Sequence, residues 1–119
     1  FVASNEASSH SNFKNEVIRS EQGSTILTLK EVTPVRMIKN PFYFKLKEIY
    51  DRGGSLDELK NMLGRGRAKK GMFEGDLVEG ELEIGQVASQ IDKIISAESI
   101  IKEFINDYNL VFDELKKII

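Results

Sequence analysis

The chain is 119 residues long, 40% hydrophobic and 30% charged, with a formal net charge of −2 and no cysteine. This is the composition of one soluble globular unit, too short to split into two well-packed domains. It excludes disulfides, thiolate metal sites and thiol nucleophiles. It also lacks the positive field that nucleic acid as a main partner would require. No apolar run approaches the ~20 residues that span a bilayer, no signal-peptide core is present, and the missing cysteines fit a cytoplasmic setting. The chain opens at Phe1 without Met, and Phe1-Val2-Ala3 reads as the end of a buried strand; the expectation is a piece of something larger.

After a polar loop at Ser4–Ser9, the spacing of Phe13, Val17 and Ile18 predicts a short amphipathic helix over His10–Arg19, broken by Gln22-Gly23. Ser24–Leu29 and Val35–Ile38 are β-prone and either form a small hairpin or simply cross a surface. Asn40-Pro41 is a helix start, with Asn as N-cap and Pro at the first helical position. Phe42, Leu46 and Ile49 share that helix's inner face, and Gly53-Gly54 ends it. Ser55-Leu-Asp-Glu58 is a capping box opening a further short helix that stops at Gly64. Arg67–Phe73 reads as one or two more helical turns interrupted by Gly71. Val87, Ile91, Ile94 and Ile95 predict a helix beginning beside Gly85-Gln86. Ser96 then caps the longest helix, Ala97 to Ile118, with Ile101, Phe104, Tyr108, Val111, Leu115 and Ile118 on one stripe. The sum is a mainly α fold with short strands. The organisation expected is 1–23, 24–86 with the glycine-rich loop, and 87–119.

Eight of the nine glycines fall between Gly53 and Gly85. A flexible linker would be Ser-rich, but this tract carries Met72, Phe73, Leu77, Leu82 and Ile84 between its glycines. It therefore packs into a shaped loop, the kind of segment on which function concentrates. Its basic cluster, Lys60, Arg65, Arg67, Lys69 and Lys70, has the chemistry to hold phosphate; the plainer reading pairs it with Glu74, Asp76, Glu79, Glu81 and Glu83. The glycine spacing is not that of a P-loop. The acidic run lacks the alternating ligands of a calcium loop, so no metal site is assigned. His10, the sole histidine, is read as a surface or structural residue rather than a general base. Phe42, Tyr43 and Phe44 are read as core packing in preference to a stacking platform.

Taken in order, Glu6-x-x-x-His10-x-Asn12-Phe13-Lys14, Val35-Arg36-x-Ile38-Lys39-Asn40, Gly75-Asp76 and Gly85-Gln86 resemble the C-terminal part of the flavin-dependent nitronate monooxygenase (2-nitropropane dioxygenase-like) family. That family includes the FMN-dependent type II enoyl-acyl-carrier-protein reductases. The resemblance implies a (β/α)8 barrel with FMN at its mouth, of which this chain would be the C-terminal fragment. The fragment would hold the end of the last strand, an inserted lid and the closing helices. A complete barrel needs about 250 residues. The resemblance further implies a small-molecule substrate (a nitronate or an enoyl thioester), a possible NAD(P)H requirement, and catalytic residues upstream of this chain. The family stretch that approaches the flavin, Ser-x-x-Ala-Gly-Gln, matches Glu81-Leu-Glu-Ile-Gly-Gln86, making Glu81, Gly85 and Gln86 the candidate cofactor-binding residues. Glycine admits close backbone approach to a ring, glutamine offers donor and acceptor, and the start of the Val87–Ile95 helix would add free N–H groups. The plain alternative is that Gly85 is a tight packing turn and Gln86 a helix-start residue. At the level of function, the alternative is a stand-alone helical module that binds an acidic ligand or nucleic acid through Arg65–Lys70.

Overall fold

A computed structural model describes residues 1–119. Its centre is a small sheet with a hydrophobic cluster on each face. β1 (Thr25–Thr28) and β2 (Val35–Ile38) pair antiparallel, with Ile26 opposite Met37 and Thr28 opposite Val35. The chain returns much later to lie along the free edge of β2. There the Ile38 N–H donates to Leu82 O at 2.9 Å and the Ile84 N–H to Arg36 O at 3.2 Å, with Met37 bridged to Glu83. Successive strand residues face opposite sides. Ile26, Val35 and Met37 therefore join Leu29, Phe42, Leu46, Ile49 and Leu59, while Ile38, Leu82 and Ile84 join Phe13, Val17 and Ala88.

α1 (Ser11–Arg19) covers the second cluster with Phe13 and Val17, both fully buried. Its Lys14 is 8% exposed, an uncommon place for an ammonium. The Nζ is satisfied by Ala7 O at 2.8 Å and Asn5 O at 3.4 Å, which folds the N-terminal segment over the helix. α2 (Pro41–Asp51) and α3 (Leu56–Leu63) cover the first cluster. Both begin as the sequence predicts. The Asn40 side chain accepts from Tyr43 N at 3.1 Å, and Ser55 and Glu58 form the reciprocal capping box.

Two expectations give way. Residues 1–3 form no strand; the Ser4 N–H closes a turn on Phe1 O at 2.9 Å, and Ser9 Oγ donates to Val2 O at 2.5 Å. A strand without a neighbour leaves its backbone groups unpaired, and the turn satisfies them. Nor do residues 87–95 make an α-helix. A 3-10 turn covers Gln86–Gln90 with no side-chain cap, and the chain then runs extended to Ser96, its Ile95 carbonyl accepting from Asn5 N–H at 2.9 Å.

The last helix, α4 (Ala97–Ile118), has the predicted bounds. Its start is fastened by the Ser96 cap, by Ala97 N–H donating to Glu6 Oε2 at 2.8 Å, and by a Lys93–Glu103 ion pair at 2.6 Å. From residue 101 onward every residue is exposed. The projecting helix gives a radius of gyration of 17.7 Å and a longest extent of 56 Å, against about 13.5 Å for a compact chain of this length. No helix is long and apolar enough to cross a membrane.

Candidate functional site

The tract from Gly64 to Gln86 is held as a rigid loop by side chains from α2 and from within itself. Arg67 is the principal tie. Its guanidinium donates to Leu63 O at 3.0 Å, Met62 O at 2.8 Å and Glu79 O at 2.8 Å, and lies 4.7 Å from the Phe42 ring centre. One planar fork thus closes α3, stacks on α2 and fixes the far side of the loop. Asn40 does a second job beyond capping α2: its Nδ2 donates to Leu77 O at 2.9 Å and Gly80 O at 2.8 Å. Asp76 Oδ1 accepts from Val78 and Glu79 N–H groups at 3.0 and 2.9 Å, turning the chain locally. These backbone bonds, with Lys70 beside it, hold the Asp76 carboxyl below the usual aspartate range.

The segment Arg67–Phe73 is helical as read, but widened: residues 69–73 are a π-helix in which Glu74 N–H reaches Lys69 O at 3.1 Å. The widening brings Gly71 against Gly80. A Cβ on Gly80 would stand 2.1 Å from Gly71 Cα and 2.4 Å from Asp76 O. This backbone crossing was visible beforehand only as two glycines nine positions apart. Arg67 as a hub carried no signal beyond its place in a basic cluster.

The charges follow the plainer reading. Lys69 pairs with Glu74 at 3.6 Å, Lys70 with Asp76 at 3.5 Å, and Arg67 with Glu79 at 3.3 Å; Lys45 also pairs with Glu79. Three of the five basic residues are compensated in this way, while Lys60 and Arg65 pair with no carboxylate. No group of three histidine or carboxylate side chains converges. His10 is an N-cap, its Nδ1 accepting from Asn12 N–H at 3.0 Å, and its ring packs where a Gly75 Cβ would be. Phe42 is fully buried, whereas Phe44 is half exposed.

The three candidate cofactor residues occupy different environments. Glu81 is only 6% exposed. Burial, reinforced by the charge and hydrogen bond of neighbouring Glu83 and opposed by Arg67, pushes its carboxyl up to about 7. Gly85 and Gln86 lie on the surface, at the start of the 3-10 turn. Five residues of 3-10 helix carry no useful macrodipole, so the free N–H contribution expected from an α-helix there is withdrawn. Gly85 stands apart among the glycines. Each of the other eight either has positive φ or would drive a Cβ to within 3.0 Å of a neighbour, whereas Gly85 has φ −75° and open space. The packing-turn explanation of Gly85 therefore fails within this chain. Beside Gln86 lies a wholly polar depression of about 610 Å³, lined by Glu21, Gln22, Gly23, Thr25, Ser89 and Gln90.

No protein-family model matches the chain, and no curated protein matches it. Solved structures do. The chain superposes on FabK from Thermotoga maritima with a TM-score of 0.89 and 27% identity, covering 99% of this chain and 37% of that one. For the M276A mutant of the same protein the TM-score is 0.82 at 27% identity, covering 100% of this chain and 35% of that one. The chain thus spans little more than a third of the solved structures that it matches. The sequence resemblance to the nitronate monooxygenase and type II enoyl-acyl-carrier-protein reductase family is borne out by these two structures.

Proposed function

We propose that the chain is the C-terminal part of an FMN-dependent oxidoreductase that acts as an enoyl-thioester reductase. Residues 1–23 would follow the last strand of a (β/α)8 barrel, 24–86 would form the lid, and 87–119 would close the fold. The observation that carries the proposal is Gly85. Nothing inside the chain requires a glycine there, and its bare, exposed backbone is open to close approach by a body from outside. The likeness to FabK over almost the whole chain supports reading that body as a flavin.

The residues present fit the edge of a flavin. Gly85 leaves the backbone uncovered, and Gln86 offers an amide donor and acceptor to a polar ring edge. Glu81 stands behind this rim. Its carboxyl is held neutral below about pH 7 by burial and by neighbouring Glu83. When bound, FMN supplies the redox chemistry, with NAD(P)H as its reductant; the protein contributes binding, orientation and electrostatics. Arg67 and Asn40 keep the loop in one shape, so that Gly85 and Gln86 are presented rigidly. The matching structures favour the reductase branch over nitronate oxidation, and the two differ in a measurable way. A reductase consumes NAD(P)H in step with an enoyl thioester, whereas a nitronate monooxygenase consumes oxygen with a nitronate.

The test uses the protein from its complete reading frame. It is expected to purify with bound flavin. Gly85→Val should leave the thermal stability of the flavin-free protein unchanged, since the added atoms meet open space in this chain, yet weaken FMN retention at least ~10-fold, a loss of about 1.4 kcal/mol. A folded protein that is colourless and does not take up added FMN refutes the proposal.

A further inference from the structure

We propose that the outer edge of β1 is where a second copy of this chain attaches, the two β1 strands pairing antiparallel across a two-fold axis. The proposal goes beyond the flavin reading and does not depend on it. On β2, the Arg36 carbonyl and the Ile38 N–H serve the segment Leu82–Ile84. Alternation along an antiparallel strand leaves the backbone of Val35 and Met37 for β1, where they face Thr28 and Ile26. The Lys39 N–H, donating to Ser24 O at 3.0 Å, continues the same ladder. Thr25 and Leu27 therefore aim their N–H and C=O groups away from the sheet, and no backbone bond beyond the ladder reaches them. Proteins blunt such an edge with Lys, Pro or a bulge. Thr25-Ile26-Leu27-Thr28 has none of these, and Leu27 is 41% exposed on it.

What fits the edge is the edge itself. Pairing two copies about Ile26 sets Thr25 opposite the second copy's Leu27, and Leu27 opposite its Thr25. Each of these pairs exchanges both of its hydrogen bonds, so every bare group on both copies is satisfied together. The two Ile26 side chains meet at the axis, on the side of the sheet where Ile26 packs with α2. A hollow of about 350 Å³ runs beside β1 there, walled by Tyr43, Lys47 and Tyr50, and the two-fold axis joins it to its mate. In its lining Lys30 and Lys47 balance Glu31 and Asp51, so a strongly acidic or basic peptide has no advantage. The charges at the two ends of the strand favour the antiparallel copy. Glu21 precedes β1, Lys30 follows it, and neither forms an ion pair within the chain. Antiparallel pairing brings the Lys30 end of each copy against the Glu21 end of the other, the self-complementarity that a two-fold interface requires.

The experiment is sedimentation equilibrium of the full-reading-frame protein, with amide hydrogen exchange on the same samples above and below the dissociation constant. Dimers are expected, with the Thr25 and Leu27 amides slowed at least ~100-fold in the dimer and released on dilution to monomers. Leu27 belongs to neither hydrophobic cluster, so Leu27→Lys leaves the fold in place while putting a charge on the edge. It should raise the dissociation constant at least ~10-fold, about 1.4 kcal/mol. Lys30→Glu and Glu21→Lys should each raise it roughly fivefold by setting like charges together, and the double swap should restore it. A protein that is monomeric at every concentration overturns the proposal. So does a dimer that neither Leu27→Lys nor the single charge changes weaken, since its contact lies elsewhere. Slow Thr25 and Leu27 amides in the monomer also overturn it, because they assign the edge to another segment of the same polypeptide.

Discussion

Replacing Glu81 by Gln should change how stability depends on pH, in a direction and window set by the burial of one carboxyl. The side chain is 6% exposed and its pKa is raised from 4.5 to about 7, by burial first and by Glu83 second. A raised folded-state value means that the folded chain holds a proton that the unfolded chain has already released. Below about pH 4.5 both states are protonated and the group is neutral to stability. As pH rises from there to about 7, the protein loses stability, and above 7 the loss is complete. At about 1.36 kcal/mol per unit, the span corresponds to an upper bound of roughly 3 kcal/mol. Glu81→Gln keeps size and polarity but cannot ionise. Its stability relative to the parent should therefore be near zero at pH 4 and should grow by up to ~3 kcal/mol by pH 8. Urea denaturation of both proteins between pH 4 and 8 gives the difference directly, because every other titrating group is common to the pair. Glu83→Gln should recover part of the gain by removing the neighbouring charge. A Glu81→Gln difference that is constant across this range would refute the assignment.

Gly80→Ala should destabilise by roughly 3 kcal/mol or more, as overpacking against backbone does, because its Cβ would meet Gly71 Cα at 2.1 Å. Gly85→Ala should stay within about ±0.5 kcal/mol, and the two can be compared by chemical denaturation. Arg67→Lys should lose roughly 2–3 kcal/mol, since one ammonium cannot serve Leu63, Met62 and Glu79 carbonyls while lying on Phe42; full retention of stability by the lysine variant would show that the fork is not required. Acidification below about pH 4.5 should soften the loop. The Glu79 carboxyl is held low first by its hydrogen bond to Lys45, then by Lys45's charge and by Arg67, so its contribution is present above the unfolded value and lost as pH falls through the folded one. Exchange rates of loop amides at pH 3 and 6 would check this.

What could be read in the sequence was whatever is encoded locally. Asn40-Pro41, the Ser55–Glu58 box and Ser96 each satisfy orphan N–H groups within a few residues, and all three helix starts lie where expected. The hairpin was legible from its β-prone runs. What escaped depends on partners distant in sequence. Leu82–Ile84 bridges the free edge of β2, and no periodicity in Glu81-Leu-Glu-Ile announces that. Residues 1–3 read as a strand from apolar content and 87–95 as a helix from the spacing of Val87, Ile91, Ile94 and Ile95, but the N-terminal turn and the Asn5–Ile95 bond drew both into irregular structure. Among the candidate site residues, Gly85-Gln86 was found by pattern, while the burial of Glu81 was not. Glu81 follows Gly80, and its backbone packs where a Gly71 Cβ would be, a consequence of the crossing and not of its own neighbours.

The same crossing connects the core to the proposed rim. Gly71 and Gly80 bring the π-helix close enough for Leu82 to enter one cluster and for residues 82–84 to bridge to β2. Three residues after Leu82 the chain emerges at Gly85, so the position of that exposed turn is set by the sheet and not by loop flexibility. α4 begins eleven residues beyond Gln86, tied to the N-terminal segment by Glu6 and to the preceding segment by the Lys93–Glu103 pair. A rim fixed by the sheet and a bare helix fixed by the N-terminus thus belong to one rigid arrangement. In the proposed enzyme, Gly85 and Gln86 would therefore be presented from a position set by the sheet.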